Sequence, residues 1–263
     1  MKKSSVNPAF AIIVIPVAII VSILIYKFIL GASSNFIEGN PENNPLPGNY
    51  LGIIYKGGVI VPLLMAQLLI VIIFCVERFF AVLRSRGKRP INTFLSEIRA
   101  MIASKNIDGA IKACDAQQGS VGNVIKAGLT AYKQVESDNS LDKEQKVASI
   151  QKSIEETTSL ELPMLSKNLS IISTLASIAT LIGLLGTVLG MIKAFAAMAT
   201  AGAPDAVALA NGISEALINT ALGIGTSALA IIFYNYFTTR IDSITYGIDE
   251  AGYSIVQAYS SSH

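Results

Sequence analysis

The sequence predicts an all-α, polytopic transmembrane protein whose long last two helices extend into a cytoplasmic helical domain. Hydrophobic residues make up 52% of the 263 residues and charged residues only 14%, whereas soluble domains carry about 25% charged residues. The apolar residues form blocks that reach the roughly 20 residues needed to cross a bilayer. Between the blocks, apolar residues recur at helical spacing among charged ones, as in the segment from Phe94 to Ile102.

Composition argues against several classes of function. The formal net charge is +2, too small to indicate a nucleic-acid partner. The one histidine, His263, is the last residue, which argues against histidine metal ligands and catalytic triads. Cys75 and Cys114 lack the spacing of a metal or redox motif. We therefore expect no enzyme activity, no cofactor and no nucleic-acid partner, and we expect membrane lipids around the chain.

Residues 1–31 are predicted to form an N-terminal transmembrane helix. Lys2 and Lys3 precede its apolar run, as in a signal peptide. The run is longer than the roughly 7–15 apolar residues of a signal, and no small-residue cleavage site follows. We therefore expect a retained helix, an uncleaved signal anchor, with a cleaved signal as the alternative. Residues 32–56, rich in Asn, Pro and Gly, are predicted to be an extracytoplasmic loop.

Residues 57–83 are predicted to be the second transmembrane helix. Arg84, Arg86, Lys88 and Arg89 follow it, and such basic clusters mark the cytoplasmic side of a membrane. Residues 84–164 are accordingly predicted to form a cytoplasmic helical domain. The N-terminus then also lies in the cytoplasm.

Residues 165–240 are predicted to form a hairpin of two membrane helices. Each helix has about 35 residues, or about 50 Å at 1.5 Å per residue, which exceeds the hydrocarbon core of about 30 Å. The hairpin should therefore project into the cytoplasm, with residues 201–204 (Ala-Gly-Ala-Pro) as its extracytoplasmic turn. Residues 241–263 are predicted to be an amphipathic cytoplasmic tail, which makes four spans with both termini inside.

The two hairpin helices each have one face of small and hydroxylated residues. On a wheel at 100° per residue, Thr187 shares its face with Thr180, Gly183 and Gly190, and branched aliphatic residues occupy the opposite arc. On the last helix, the corresponding face carries Glu215, Asn219, Thr220, Gly223 and Ser227.

These faces admit two interpretations. Small residues allow close packing of membrane helices, and packing accounts for Gly183, Gly186, Gly190 and Gly223. Hydroxyls such as those of Thr187 and Thr220 either pack or line a hydrated pore.

Four charged residues near the membrane are interpreted in three ways. A carboxylate within a membrane helix costs at least a few kcal/mol unless it is paired or solvated, so Glu215 is a functional candidate. Lys193 is predicted to snorkel outward. Glu77 and Arg78 are predicted to form a surface ion pair or to contact the cytoplasmic stalk.

Two successive motifs resemble those of the MotA/TolQ/ExbB proton channel family. Leu181–Phe195 reads LIGLLGTVLGMIKAF and Ile213–Ile224 reads ISEALINTALGI. The pair G-L-x-G-T-V-x-G and I-x-E-A-L-x-x-T-A-x-G is specific in its order and separation, and it is closest to the ExbB and TolQ branch.

The resemblance implies a ring-forming subunit of a proton-driven motor, with protons as the transported ion. It implies a homo-oligomer, a pentamer, around a dimer of a single-span ExbD- or TolR-like protein with an essential membrane aspartate. Thr187 and Thr220 match the pore threonines that face this aspartate, and Glu215 matches the glutamate of the same motif. The proton pathway is then expected to be lined by Thr187, Thr220, Glu215, Asn219, Thr180 and Ser227.

The resemblance also sets the expected process and location. We expect a multi-pass protein of the bacterial inner membrane that works with a TonB-like protein in TonB-dependent outer-membrane import. Two departures from the ExbB pattern stand out: the extra N-terminal span, and Ala179-Thr180-Leu181 where the family has a proline before the motif.

Other functions stay open. A TolQ-like, gliding or secretion motor subunit has the same features, and a non-conducting scaffold would use the polar face for packing alone. A solute transporter predicts broken spans and inverted repeats, which the sequence does not show.

Overall fold

The structure is a computed structural model that describes residues 9–138, 140–199 and 205–262. It is 87% helical, with no strand among these residues, which confirms the predicted all-α fold. The α-helices of the described residues are α1 (Ala9–Leu24), α2 (Tyr50–Tyr55), α3 (Val61–Arg86), α4 (Ile91–Ala103), α5 (Ile107–Gln117), α6 (Gly119–Ser137), α7 (Lys143–Ser166), α8 (Leu169–Met198) and α9 (Ala206–Ser262).

Four helical stretches of the described chain are long and apolar enough to cross a membrane, which fits a polytopic membrane protein. They are Phe10–Leu30, Gly58–Ala103, Lys143–Met198 and Ala206–Ser261. Their outward surfaces are aliphatic: Ile12 is 73% exposed and Leu181 63% exposed. Side chains of this kind are stable on a surface only where lipid or another protein covers them.

The chain divides into two compact units. The membrane unit comprises the chain up to Val76 together with Ser170–Tyr234, and the polar unit comprises Glu77–Leu169 together with the chain from Asn235 onward. Three helices (α3, α8 and α9) have residues in both units.

In the membrane unit, the segment between α1 and α3 is folded around Asn35. A π-helical turn, Ile25–Leu30, extends α1, and its carbonyls at Ile29 and Leu30 accept hydrogen bonds from Asn35 Nδ2 at 2.7 and 2.9 Å. Asn49 donates to Asn35 Oδ1 and caps α2 by accepting from Gly52 N. The predicted loop is therefore a structured cap that includes a short helix.

In the polar unit, the end of α9 supplies part of the core. Ile241, Ile244, Ile248, Ile255 and Tyr259 are all buried, and they repeat at helical spacing, so they form one apolar stripe. The Tyr259 ring packs edge-on against Tyr132 of α6, with 4.9 Å between ring centroids. The predicted tail from residue 241 is thus a continuation of α9 to Ser262, because its apolar stripe is needed to complete the core.

The helix predicted to begin at residue 165 begins instead at Leu169. Leu165 and Ser166 still belong to α7. The helix is interrupted at Lys167 and Asn168, and the φ of Asn168 is +66°. Asparagine tolerates this left-handed conformation better than most residues. Sequence patterning missed the break because Leu165, Leu169 and Ile172 keep helical spacing across the polar residues at positions 166–168.

Arg78 stabilises the end of α7. Its ion pair with Glu77 is buried and not at the surface, and its contact with Leu165 fits the alternative prediction of a contact with the stalk. Its side chain is fully buried. It pairs with Glu77 and donates from Nη1 to the carbonyls of Leu165 and Met164 at 3.0 and 3.3 Å. These carbonyls lie in the last turn of α7, where cations and donors are stabilising.

Some sequence predictions fall on residues outside the described part of the chain. The predicted turn at residues 201–204, the lysines at positions 2 and 3 and the terminal His263 lie there.

Candidate functional site

The site is built on close antiparallel packing of α8 and α9 within the membrane unit. Gly183 faces Gly223, and Gly190 faces Gly212. A Cβ added at Gly223 would lie 2.6 Å from the Ala179 carbonyl oxygen, and one at Gly190 would lie 2.8 Å from the Gly212 carbonyl oxygen. The small faces of the two helices therefore meet each other at backbone contact distance.

Asn219 ties α9 to the start of the second membrane helix. Its side chain is fully buried, and Nδ2 donates to the Gly57 carbonyl at 2.8 Å. Its Oδ1 is buried without a hydrogen-bond partner among the described residues. Gly186 of α8 lies against the same side chain, so a Cβ there would collide with it.

Ser227 has a comparable internal role. Its Oγ donates to the Ala176 carbonyl of α8 at 2.5 Å, and its side chain is buried. The hydroxyl hydrogen of Ser227 and one amide hydrogen of Asn219 are therefore used within the chain, where they hold helices together.

Thr187 and Thr220 are brought together across the two helices. Their hydroxyls contact each other, and either oxygen can be the donor. Each can also donate to the carbonyl four residues earlier in its own helix: Thr187 to Gly183 at 3.3 Å and Thr220 to Ala216 at 3.1 Å. Both threonines remain partly exposed.

The two threonine hydroxyls have two hydrogens between them but more than two acceptor oxygens within reach. Each hydroxyl carries one hydrogen and two lone pairs. If Thr220 donates to Thr187, then Thr187 bonds the Gly183 carbonyl, and the reverse arrangement uses the Ala216 carbonyl. The pair can therefore reverse its hydrogen-bond direction without moving either helix, and its exposed side can still accept a hydrogen bond.

Glu215 is 9% exposed and forms an ion pair with Lys193 of α8. Lys193 Nζ lies 2.6 Å from Oε1 and 2.8 Å from Oε2 of the carboxylate. Lys193, predicted to snorkel away, instead directs its ammonium to Glu215, although its side chain is 56% exposed.

Gly58 leaves the space that the Glu215 carboxylate occupies. A Cβ on Gly58 would collide with this carboxylate, and the φ of Gly58 is +75°, a conformation that glycine adopts most readily. One turn apart on α9, Glu215 and Asn219 thus both reach the Gly57–Gly58 turn that leads into α3.

Thr180 lies two turns before Thr187 on the same side of α8, and its side chain is exposed. The structure therefore brings Thr187 and Thr220 into contact. It also places the side chains of Glu215 and Asn219 beside the turn that leads into α3. Thr180 faces outward along the same edge.

Sequence reasoning missed the role of Lys193, although a signal was present. Lys193 lies 5 residues before the end of α8, and Glu215 lies 9 residues after the start of α9. In an antiparallel hairpin, these positions lie about 8 and 14 Å from the helix ends at 1.5 Å per residue. A lysine side chain is long enough to span the difference between these two distances. Opposite charges at similar depths in the hairpin therefore predict an ion pair.

The model of the MotA/TolQ/ExbB proton channel family matches residues 116–250. This match covers just over half of the chain, 135 of 263 residues. The chain belongs to the MotA/TolQ/ExbB proton channel family. The matched residues include Lys193 and all six of the polar residues discussed above, whereas α1 and the cap that follows it lie outside the match. Comparison with curated proteins gives no match.

Membership of the MotA/TolQ/ExbB family makes the chain part of a membrane channel family rather than an enzyme family. The four apolar helices agree with a membrane location. Among the described residues there is also no cluster of three His, Cys, Asp or Glu side chains able to hold a metal ion.

Proposed function

We propose that this chain is the ExbB-like, ring-forming subunit of a bacterial inner-membrane motor driven by proton flow. In this proposal, five copies surround a dimer of a single-span ExbD- or TolR-like protein. Protons reach the membrane aspartate of that partner along the polar edges of α8 and α9. Movement of the partner then performs work on a TonB-like protein during outer-membrane import.

The contact between the Thr187 and Thr220 hydroxyls is the observation that supports this proposal best. Hydroxyls pass hydrogen bonds on without becoming charged, so they suit a proton path inside a membrane. The pair is partly exposed, and its two hydrogen-bond directions are both available. A partner carboxyl group, or water beside it, can therefore bond to the pair in either protonation state.

The remaining polar residues have different roles in the proposal. Glu215, paired with Lys193, provides a charge-compensated polar site within the membrane helices. Thr180 extends the exposed hydroxyl edge toward the other end of α8. Asn219 and Ser227 lie on the pathway face but act mainly by fixing α9 to Gly57 and Ala176.

The process that the motor powers depends on the partner. A TolQ-like subunit, or a subunit of a gliding or secretion motor, would use the same hydroxyl pair. The G-T-V motif at residues 186–188 resembles the branch that ExbB and TolQ share, and within that branch we propose the ExbB role.

A non-conducting scaffold is the second candidate, and one observation favours it. Asn219 and Ser227 use hydrogens within the chain, and the glycine faces pack α8 on α9. A scaffold needs this packing but has no use for a hydroxyl pair at a partly exposed edge.

Replacement of both threonines by valine separates the two functions. Valine has nearly the same shape as threonine but no hydroxyl, so packing is preserved. We expect Thr187→Val/Thr220→Val to lower proton flux through the native complex in liposomes by tenfold or more, about 1.4 kcal/mol of barrier. A pH-sensitive dye inside the liposomes measures the flux.

Thr239→Val is the matched control. Thr239 lies on the same helix and donates to the carbonyl four residues earlier, Asn235, at 2.9 Å, as Thr220 does to Ala216. We expect its flux to be unchanged. Normal flux in the double valine variant, with assembly intact, would contradict the channel proposal and favour the scaffold.

A further inference from the structure

Within the polar unit, a cleft of about 210 Å³ opens where α3 ends. Its walls come from three elements: the end of α3, the start of α4 and the part of α9 from Arg240 onward. Its polar lining residues include Arg86, Asn92, Arg240, Ser243, Tyr246 and Glu250. The proton pathway proposed above uses none of them.

Two arginines of the cleft have no acidic partner among the described residues. Of the six arginines in the sequence, Arg78, Arg89 and Arg99 form ion pairs. Arg86 and Arg240 both line the cleft, and neither forms an ion pair with a carboxylate of the described residues. The acidic residue in the wall, Glu250, is already paired with Arg99 at 2.6 Å.

An aromatic neighbour orients the Arg240 side chain. The Arg240 guanidinium lies 5.3 Å from the centroid of the Tyr236 ring, one turn earlier on α9. Stacking of this kind orients the planar guanidinium. Asn92 adds an uncharged hydrogen-bond donor to the same cleft, whereas the Ser243 hydroxyl donates to the Thr239 carbonyl at 2.9 Å. Two guanidinium groups with a neutral donor form a typical site for a phosphate group.

The surface beside the cleft is apolar, which distinguishes a lipid from a soluble phosphate. Phe79 lies two turns before Arg86 on the same face of α3, and it is 49% exposed. Tyr246 in the wall is 71% exposed, and Tyr236 is 43% exposed. An acyl chain can lie along the exposed face of α3 while the headgroup enters the cleft, since aromatic and basic side chains favour the membrane interface.

We propose that this cleft binds the phosphate of an anionic phospholipid, with Arg86 and Arg240 as the anion ligands. Both arginines follow apolar helical segments of α3 and α9. An anionic headgroup therefore meets its counter-charges where the apolar segments end. The site makes anionic lipid a specific ligand of this chain and not only its solvent.

Lipid titration of charge variants tests the proposal. We would extract the full complex, remove its lipid and titrate it with phosphatidylglycerol while observing bound lipid by native mass spectrometry. Each basic residue near an anionic membrane surface strengthens binding to that surface. We therefore expect Arg86→Gln/Arg240→Gln to weaken the tightest binding of phosphatidylglycerol by about tenfold or more.

The matched control is Arg84→Gln/Lys88→Gln. It removes two charges from the same basic cluster, and both residues are exposed but lie outside the cleft lining. We expect a change within about twofold, because screened charges at a distance contribute little. An equal loss in both variants would overturn the proposal in favour of general surface attraction.

Two further arms identify the ligand. Phosphatidylcholine is expected to bind more than tenfold more weakly than phosphatidylglycerol, and equal binding would overturn the requirement for an anion. Inorganic phosphate at millimolar concentration is expected not to displace the lipid, and full displacement would make this a site for soluble phosphate instead.

One measurement on the unaltered chain does not depend on how the variants fold. A photoactivatable phosphatidylglycerol is expected to label peptides that contain Asn92 or Tyr246. Labelling confined to other surfaces, or protection of the cleft by a second copy of the chain, would overturn the proposal.

Discussion

The ion pair between Glu215 and Lys193 shows how one side chain makes another tolerable in a membrane helix. A buried carboxylate alone costs at least a few kcal/mol in such a place. Lys193 supplies the opposite charge at 2.6 and 2.8 Å from the two oxygens. Because the lysine is 56% exposed, solvent weakens the attraction, and the pair is worth less than a fully buried one.

Removal of Lys193 should therefore destabilise the chain through Glu215. We expect Lys193→Met to lower the free energy of unfolding by about 1–3 kcal/mol, since it leaves the carboxylate without a counter-charge. Thermal unfolding in mild detergent measures this change.

A double-mutant cycle tests whether the effect acts through the pair. Once Glu215→Gln has removed the carboxylate, Lys193→Met is expected to cost much less, with a coupling energy of about 1 kcal/mol or more. Strictly additive effects of the two substitutions would show that the ion pair contributes nothing to stability.

Single residues also show what the sequence can and cannot predict. The position of Glu215 in an apolar helix is sufficient to identify it as a functional candidate. Its partner and the burial of Arg78 were not predicted, because lysine and arginine side chains are long enough to reach either solvent or a neighbouring helix. Only the positions of α8 relative to α9, and of α3 relative to α7, decide between these destinations.

At the scale of elements, backbone contact between α8 and α9 places the hydroxyl pair. Gly223 illustrates the requirement, because an added Cβ would lie 2.6 Å from the Ala179 carbonyl oxygen. The same helix contains Gly225, where an added Cβ would meet nothing within 4 Å. The two glycines therefore form a matched pair for substitution.

We expect opposite results from alanine at these two positions. Gly223→Ala should destabilise the chain by about 1–3 kcal/mol, because overpacking forces the helices apart. Gly225→Ala should leave stability unchanged or raise it by up to about 1 kcal/mol, through the higher helix propensity of alanine. Thermal unfolding of both variants in the same detergent compares them.

The two melting temperatures decide whether α8 and α9 are in close contact. Equal melting temperatures for the two variants would contradict that contact. A fall confined to Gly223→Ala would support it.

Helix ends were harder to predict than helix faces. Hydrophobic spacing continues through Lys167 and Asn168, so the break between α7 and α8 has no periodic signal. Apolar spacing also continues after Arg240, and it correctly indicates an amphipathic segment. This segment is part of α9 and completes a core through contacts such as that of Tyr132 with Tyr259. These two residues lie far apart in the sequence, so the contact could not be predicted from local spacing.

At the scale of the whole molecule, composition was sufficient for the fold class. Long apolar blocks with few charges leave helices as the structure that satisfies backbone hydrogen bonds in lipid, and the structure is helical throughout its spans. Composition does not predict how many subunits assemble. The aliphatic faces of α8 and α9 are exposed in a single chain, with Leu184 at 57% and Leu217 at 64%, and both lipid and further subunits can cover such faces.

The most direct test of the channel proposal is the composition of the complex in native membranes. We would extract the complex gently through a tag on this chain and determine its intact mass and its subunits. We expect five copies of the chain around two copies of a single-span protein with an aspartate in its membrane helix. A monomer or dimer without such a partner, in several detergents, would contradict the proposed motor.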